Sequence, residues 1–178
     1  MDKIGQRAAS VKRKRIISLL ICMLLVLNVV CLTGCGAGKK WKDGKCTISI
    51  ECSSILDNIE DLKETEKKFV PSDGWILKET EVSFKGGETA FDVLKQICGK
   101  KGIHMASRYT PLYKSYYVEG INQLYEFDCG KNSGWMYSVN GEYPNYGASS
   151  YNLKDGDKVE WRYTCNLGSD VGDKYEGK

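Results

Sequence analysis

The side chains that could support covalent catalysis in this chain are few. The only histidine is His104, which directly follows Ile103 in a strand-like setting, and no GxSxG motif supplies a serine nucleophile. A Ser-His or Cys-His pair would therefore have to use His104. We predict instead that this residue belongs to the core or the surface and that the protein is not an enzyme.

The sequence also offers few residues for a metal site or for a catalytic pair of carboxylates. The chain has eight cysteines but no CxxC spacing, so a zinc site would need ligands spread across the domain. Asp155 and Asp157 bracket Gly156 in a predicted turn, where aspartate is favoured for its hydrogen bonds to the backbone rather than as a glycosidase-like pair. Such a turn offers too few oxygen ligands for calcium. No metal and no resident cofactor is expected.

Aromatic and amide side chains between residues 134 and 151 could form a ligand-binding surface. Aromatic faces supply large contact area with little loss of rotamer freedom, and amides recognise polar edges. The candidate ligand-binding residues are Trp135, Tyr137, Asn140, Tyr143, Asn145 and Tyr146. The alternative is that Trp135 and Tyr137, which alternate along a strand, are core residues, as Trp161 and Tyr163 are expected to be.

A second aromatic cluster surrounds Pro111. Its members are Tyr109, Tyr113, Tyr116 and Tyr117. The cluster is either a folded loop that packs over the sheet or a surface that binds a sugar or a partner protein, and the sequence leaves both readings open.

The first 34 residues predict export. Basic residues up to Arg15 precede an apolar run, 16–32, that can enter the translocation machinery as a helix. The run ends in Leu32-Thr33-Gly34-Cys35, which resembles the lipobox of bacterial lipoproteins, and that resemblance implies cleavage before Cys35 and lipidation of its sulfur. The alternative is an uncleaved transmembrane anchor. Either way, we expect the remaining chain on the extracytoplasmic face of the cell membrane.

The mature part has the length of one domain and a balanced charge. We predict a signal peptide at 1–34, a lipidated cysteine and polar tether at 35–45, one domain at 46–171 and a polar tail at 172–178. Six of the 26 Lys and Arg and one of the 23 Asp and Glu lie in the signal, which leaves a net charge near −2. No basic stripe is present, so nucleic-acid binding is not expected.

The first half of the domain predicts two strands and two helices. Alternation predicts a strand at 45–52, helical spacing predicts a short helix and loop at 54–69, and a second strand follows at 75–84. Thr89 is predicted to cap the main helix, which Gly99 and Gly102 end.

The second half of the domain predicts a hairpin around Asn140-Gly141, with arms at 134–139 and 142–143, and a final strand at 158–164. This order indicates an α+β domain with one helix across a mostly antiparallel sheet.

Several of these motifs, in this order, resemble the bacterial surface-domain family named transcobalamin-like C-terminal, a domain family of unknown function. They are the helix entry GGETAFDVL at 86–94, SGWMYSVNG at 133–141, PNYG at 144–147, LKDGD at 153–157 and VEW at 159–161. The similarity spans about residues 46–171. It implies a β-grasp-like mixed sheet that holds a helix, with the first and last strands adjacent and parallel at the sheet centre.

The resemblance also implies a disulfide framework. After removal of the signal and lipidation of Cys35, five cysteines remain in an oxidising compartment. In such a fold Cys52 and Cys165 would meet at the ends of the first and last strands, and we expect a bond between them. Cys98 and Cys129 would form the second bond and leave Cys46 as the odd thiol, although other partners for Cys46 stay open.

The functional expectation drawn from the resemblance is a binding domain. In the vertebrate cobalamin carriers, the hairpin and following loop press on one face of the corrin ring, while a large helical domain supplies the other face. We expect a lipid-anchored domain that uses 134–151 to capture a corrinoid or another small ligand, alone or with a surface protein or transporter as partner. The rival is a surface module that binds a protein or cell-wall glycan. A concave site beside Trp135 would favour the first, and a flat tyrosine patch the second.

Overall fold

The computed structural model of the protein describes residues 41–173. The predicted signal peptide, Cys35, most of the predicted tether and residues 174–178 of the predicted tail lie outside these residues. Asp43 accepts a hydrogen bond from the backbone of Gly86 at 2.8 Å and pairs with Lys85. Residues 41–45, which were assigned to the tether, therefore lie against the domain.

The main sheet contains β1 (Gly44–Glu51), β2 (Trp75–Phe84), β6 (Gly134–Val139) and β7 (Lys158–Thr164). Their order across the sheet is β2-β1-β7-β6. The central strands β1 and β7 are parallel, with Ile50 opposite Trp161, and both outer pairs are antiparallel. The first and last strands are thus adjacent at the sheet centre, which confirms the expected mixed sheet.

A smaller antiparallel sheet is formed by the middle of the chain. It contains β3 (Met105–Thr110), β4 (Ser115–Ile121) and β5 (Leu124–Tyr125) in the order β3-β4-β5. The turn between β3 and β4 carries exposed Leu112 and Tyr113. β4 approaches β6, so the small sheet lies beside one edge of the main sheet.

The main helix α2 (Ala90–Lys101) begins where the sequence predicts. Thr89 and Asp92 form a reciprocal capping box, in which each side chain accepts a hydrogen bond from the other residue's backbone. The helix continues through Gly99 and ends at Gly102, whose φ of +70° is the left-handed conformation that suits glycine at a helix end. The prediction that Gly99 ends the helix was therefore wrong.

One face of α2 and the inner face of the main sheet share a single core. The helix contributes Phe91, Leu94 and Ile97, and the sheet contributes Ile48 and Ile50, all of them buried. The short helix α1 (Ser53–Leu56) follows β1, and 3-10 turns occur at Lys67–Phe69, Ala148–Ser150 and Ser169–Val171. The result is the predicted α+β domain, a mixed sheet with one main helix packed across it.

The Asn140-Gly141 turn forms, but not the hairpin expected around it. Both residues have positive φ, of +55° and +82°, as a tight turn requires. Val139 and Glu142 form only an isolated bridge, and β6 pairs along its length with β7 instead. After Gly141 the chain leaves the sheet and becomes a loop over the edge that β6 forms.

Candidate functional site

A concave pocket of about 770 Å³ lies between the β6–β7 edge, β4, the loop after β6 and the C-terminal segment. This volume falls within the range of small-molecule sites. The lining residues are Tyr116, Tyr117, Val118, Trp135, Met136, Tyr137, Gly141, Glu142, Tyr143, Pro144, Asn145, Gly147, Ala148, Trp161, Gly172 and Asp173. Six of them are Tyr or Trp, so the pocket offers flat apolar faces on several sides.

The floor of the pocket is formed by buried aromatic rings of the main sheet. Trp135 is 6% exposed, and its Nε1 donates a hydrogen bond to the carbonyl of Leu124 at 2.8 Å. Tyr137 stacks on Trp161 with ring centroids 5.5 Å apart. Trp135 and Tyr137 are therefore core residues and pocket-lining residues at once, and Trp161 and Tyr163 are buried as predicted.

Two tyrosine hydroxyl groups hold the loop that forms the pocket wall. Tyr137 Oη donates to the carbonyl of Tyr146 at 2.7 Å, which ties the loop to β6. Tyr143 Oη donates to the carbonyl of Val171 at 2.6 Å, which ties the same loop to the C-terminal segment. Burial raises the pKa of both phenols, so they remain protonated donors at neutral pH.

Trp161 contributes a buried donor without a partner. Its Nε1 is inaccessible to solvent and has no hydrogen-bond acceptor among residues 41–173. Buried indole N–H groups normally find an acceptor. Trp161 is therefore a pocket-lining residue that carries an unsatisfied buried donor.

The charged groups at the pocket are acidic. Glu142 and Asp173 line it, and none of the described lining residues is Lys or Arg. Arg162 lies behind the wall, where it pairs with Glu51 and donates to the carbonyl of Val171 at 2.8 Å. An aromatic pocket with acidic lining suits a neutral or cationic ligand that donates hydrogen bonds better than an anion.

Four of the six predicted ligand-binding residues line this pocket, namely Trp135, Tyr137, Tyr143 and Asn145. Asn140 and Tyr146 lie outside its lining. The Asn140 side chain donates to Asp157 at 2.9 Å and accepts from the backbone of Lys158, so it fixes the turn. Tyr146 is half exposed and stacks on Tyr151 with centroids 6.2 Å apart.

The second tyrosine cluster is divided between the pocket and the surface. Tyr116 and Tyr117 line the pocket, and the Tyr116 ring stacks on Phe91 with centroids 4.8 Å apart. Tyr109 and Tyr113 remain exposed on the β3–β4 hairpin. The sequence did not connect Tyr116 and Tyr117 with the pocket, because the contact depends on how β4 approaches β6.

The remaining titratable candidates have structural partners. His104 is exposed, and its Nε2 lies 2.7 Å from Tyr125 Oη. Asp155 accepts from the backbone of Lys45 and Asp157 from that of Lys154, so both act as the turn residues that were predicted. Within residues 41–173 no three His, Cys, Asp or Glu side chains come close enough to hold a metal ion, and no helix has the length and apolar character to cross a membrane.

Neither predicted disulfide pair is formed in this structure. All five described cysteines are thiols, and neither Cys52–Cys165 nor Cys98–Cys129 is bonded. The Cys165 Sγ lies 3.3 Å from the Sγ of Cys129, while Cys52 and Cys98 are buried in the core. The reason is the antiparallel pairing of β6 with β7, which places the residues before β6 beside those after β7. Cys46 is also a buried thiol.

Comparisons with known proteins support the fold. A family model described as a domain of unknown function, DUF4430, matches residues 87–165. The structure of haptocorrin in complex with Cbi is similar with a TM-score of 0.50 and 17% identity, over 77% of this chain and 29% of the haptocorrin chain. At that identity the likeness concerns the fold alone, and this chain spans less than a third of haptocorrin.

A second solved structure is a candidate metal-binding protein from Ruminococcus gnavus ATCC 29149. It is similar with a TM-score of 0.40 and 14% identity, over 68% of this chain and 96% of that one. No curated protein sequence matches the chain.

Proposed function

We propose that this protein is a lipid-anchored, extracytoplasmic binding domain that captures a small ligand in the aromatic pocket, and that the ligand is a corrinoid. The observation that carries the proposal is the concave pocket beside Trp135, built from the loop after β6 and from β4. A concave site of this kind is what distinguishes a small-molecule binder from a flat interaction surface. No catalytic step is proposed, because His104 contacts a tyrosine hydroxyl group rather than a nucleophile pair.

The choice of a corrinoid rests on two supports. The first is the resemblance of the chain's motifs to transcobalamin-like C-terminal domains. The second is the fold likeness to haptocorrin, whose structure was solved with Cbi. The pocket chemistry agrees with it, because aromatic rings suit a flat macrocycle, and Glu142 and Asp173 can accept hydrogen bonds from amide groups at its rim.

The test is a calorimetric titration of the full chain in mild detergent with cobinamide and with cobalamin. Asn145 and Tyr116 are exposed or partly exposed residues of the pocket lining, so Asn145→Ala and Tyr116→Ala alter the pocket. Tyr116→Ala also removes the ring that stacks on Phe91, so the urea midpoint of each variant is measured beside its binding. Tyr113→Ala is the matched control, because Tyr113 is 73% exposed and lies outside the pocket lining. Trp135→Ala is unsuitable, because removing a buried tryptophan costs about 3–5 kcal/mol of stability and would confuse unfolding with lost binding.

Saturable binding that weakens at least about tenfold, about 1.4 kcal/mol, in both pocket variants but not in Tyr113→Ala would support the proposal. Absence of heat with either corrinoid at high micromolar protein would refute autonomous corrinoid binding.

A second candidate function is supported by the exposed residues of the β3–β4 hairpin. Leu112 and Tyr113 are 81% and 73% exposed, which is unusual for two neighbouring apolar side chains. They could bind a cell-wall glycan or a surface protein without any small ligand. Co-sedimentation of the full chain with cell-wall glycan, lost in Tyr113→Ala and kept in Asn145→Ala, would favour this function over the first.

A further inference from the structure

Two cysteines far apart in sequence meet at one end of the main sheet. Cys129 and Cys165 are separated by 36 residues, yet their Sγ atoms are 3.3 Å apart. The contact follows from strand pairing, because Gly134 at the start of β6 lies opposite Thr164 at the end of β7. No other pair of cysteine sulfurs is in contact within residues 41–173.

The backbones that carry the two sulfurs are held in place by hydrogen bonds. The Cys129 amide donates to Ser133 Oγ at 3.1 Å, and the Cys165 amide donates to a carboxylate oxygen of Asp170 at 2.7 Å. The two loops are also joined directly, since the Leu167 amide donates to the carbonyl of Asn132 at 3.0 Å. The sulfurs therefore approach each other from fixed backbone positions rather than from mobile ends.

Both loops contain unfavourable backbone conformations next to the cysteines. Phe127 has a φ of +66° and Leu167 a φ of +50°, although each is a bulky residue with a β-carbon, and both are largely exposed. Such conformations persist only where the surroundings hold them. Backbone hydrogen bonds hold both residues, because the Phe127 amide donates to the carbonyl of Ser133 at 3.1 Å and the Leu167 amide to that of Asn132 at 3.0 Å. A covalent link between the loops would add to this restraint.

We propose that Cys129 and Cys165 form a disulfide bond that joins the loop before β6 to the end of β7. The oxidant is a disulfide, RS–SR, either a small molecule or an oxidoreductase. One cysteine thiolate attacks RS–SR, forming a mixed disulfide and releasing RS⁻. The second thiolate then attacks the mixed disulfide at the cysteine sulfur, forming the protein S–S bond and releasing a second RS⁻. The two thiol protons end on these groups, so two RSH are produced and the protein loses two electrons.

The geometry requires only a small adjustment. A disulfide has an S–S distance of about 2.0 Å, so the sulfurs must approach by about 1.3 Å, which side-chain rotation can supply. Burial is the main cause that raises the pKa of both thiols in the folded chain, and that of Cys165 reaches about 12. Because the thiolate is the attacking species, oxidation is fast while the chain folds and slow once it has folded.

The bond has a consequence for the pocket. The segment after Cys165 leads to Gly172 and Asp173, which line the pocket, and its Val171 carbonyl accepts hydrogen bonds from Tyr143 and Arg162. The disulfide would fix the start of this wall. This consequence, unlike the bond itself, rests on the proposed function.

The test is peptide mapping of the full chain. The protein is unfolded in urea, refolded in reduced and oxidised glutathione, treated with N-ethylmaleimide and digested with trypsin without reduction. Cleavage after Lys and Arg gives peptides 115–131 and 163–174, each with one cysteine, and peptide 46–63, which holds both Cys46 and Cys52. We expect 115–131 linked to 163–174 in most molecules. Cys98→Ser should keep this linkage, and Cys165→Ser should lose it.

Two results would overturn the proposal: N-ethylmaleimide on both Cys129 and Cys165 in most wild-type molecules, or 163–174 linked to 46–63. Both are read from the wild-type chain, so a variant that fails to fold does not affect them. Cobinamide titration of the oxidised and the reduced chain separates the two claims. If the linkage is found but neither form binds cobinamide, the proposed function fails and the disulfide stands.

Discussion

Gly147 is the position where a single added methyl group should disturb both the fold and the pocket. It precedes the turn Ala148–Ser150 and lies against β4. A β-carbon at this site would fall 1.9 Å from Ser115 Oγ and 2.6 Å from a second Ser115 atom, its Cβ. The φ of Gly147 is −65°, which alanine adopts freely. The expected cost of Gly147→Ala therefore comes from the clash and not from backbone strain.

The size of the effect follows from how far β4 and the turn must move apart to relieve the clash. The Ser115 hydroxyl can rotate away, but its Cβ moves only with β4. Carbon atoms in contact lie about 3.5–4.0 Å apart, so β4 and the turn must separate by about 1 Å. Overpacking of this kind costs about 1–3 kcal/mol. For a domain of this size, that loss lowers Tm by about 4–12 °C.

Urea unfolding of the full chain, followed by tryptophan fluorescence, measures this loss. Ser115→Gly removes both clashing atoms, so Gly147→Ala should cost little in that background. A double-mutant cycle should give a favourable coupling of at least about 1 kcal/mol between the two substitutions. Unchanged stability of Gly147→Ala, or an equal loss with and without the Ser115 side chain, would refute the reasoning.

Three further predictions concern the helix, the cysteine pair and alkaline pH. Gly99→Ala should stabilise the chain by about 0.5–1 kcal/mol in urea unfolding, because alanine favours the helical conformation more than glycine does. The site is exposed and helical, and no atom lies within 4 Å of the added carbon. A loss of stability would mean that the helix does not continue through Gly99. Cys129→Ser should lower the stability of the oxidised chain by about 4 kcal/mol, the entropy of a loop of this length, and should have a much smaller effect under reductant. Burial raises the pKa of Cys52 and Cys98 from 9.0 to about 12, so above pH 9 the unfolded chain binds fewer protons than the folded one. The urea midpoint should therefore fall as pH rises from 9 towards 12, and a flat profile up to pH 11 would contradict the assignment.

Local signals in the sequence predicted local structure well. The strands at 75–84 and 158–164 were placed at their observed bounds, and the capping pair Thr89 and Asp92 marked the start of α2, because these features depend on neighbouring residues. The turn at Asn140-Gly141 was also predicted, since positive φ favours those residue types. The turn sequence does not indicate which strand pairs with β6, because its partner, β7, begins about 20 residues later in the chain.

The predicted disulfide pairs and the predicted pocket residues differ from the structure for the same reason. The cysteine prediction used the parallel pairing of the first and last strands, which is correct, but not the antiparallel pairing that brings Cys129 to Cys165. The pocket prediction used the residues after β6 and omitted Tyr116 and Tyr117, which reach the site only because β4 approaches β6. Each difference concerns a contact between two segments that are distant in the chain, and neither segment's sequence indicates that the other is its partner.

The abundance of tyrosine in this chain has a structural cause that bears on the search for a ligand. Tyr137, Tyr143 and Tyr163 each donate a hydroxyl hydrogen bond to a backbone carbonyl outside the main sheet, at 2.6–2.7 Å, and for Tyr137 and Tyr143 that carbonyl lies in the pocket wall. A tyrosine can bury its ring against the sheet and still satisfy a loop carbonyl that would otherwise lack a donor. These residues would be needed to hold the loops even if no ligand existed. Aromatic content alone therefore does not indicate binding, and the decisive variants are those of Asn145 and Tyr116, whose side chains face the pocket and donate no hydrogen bond to the loop that forms its wall.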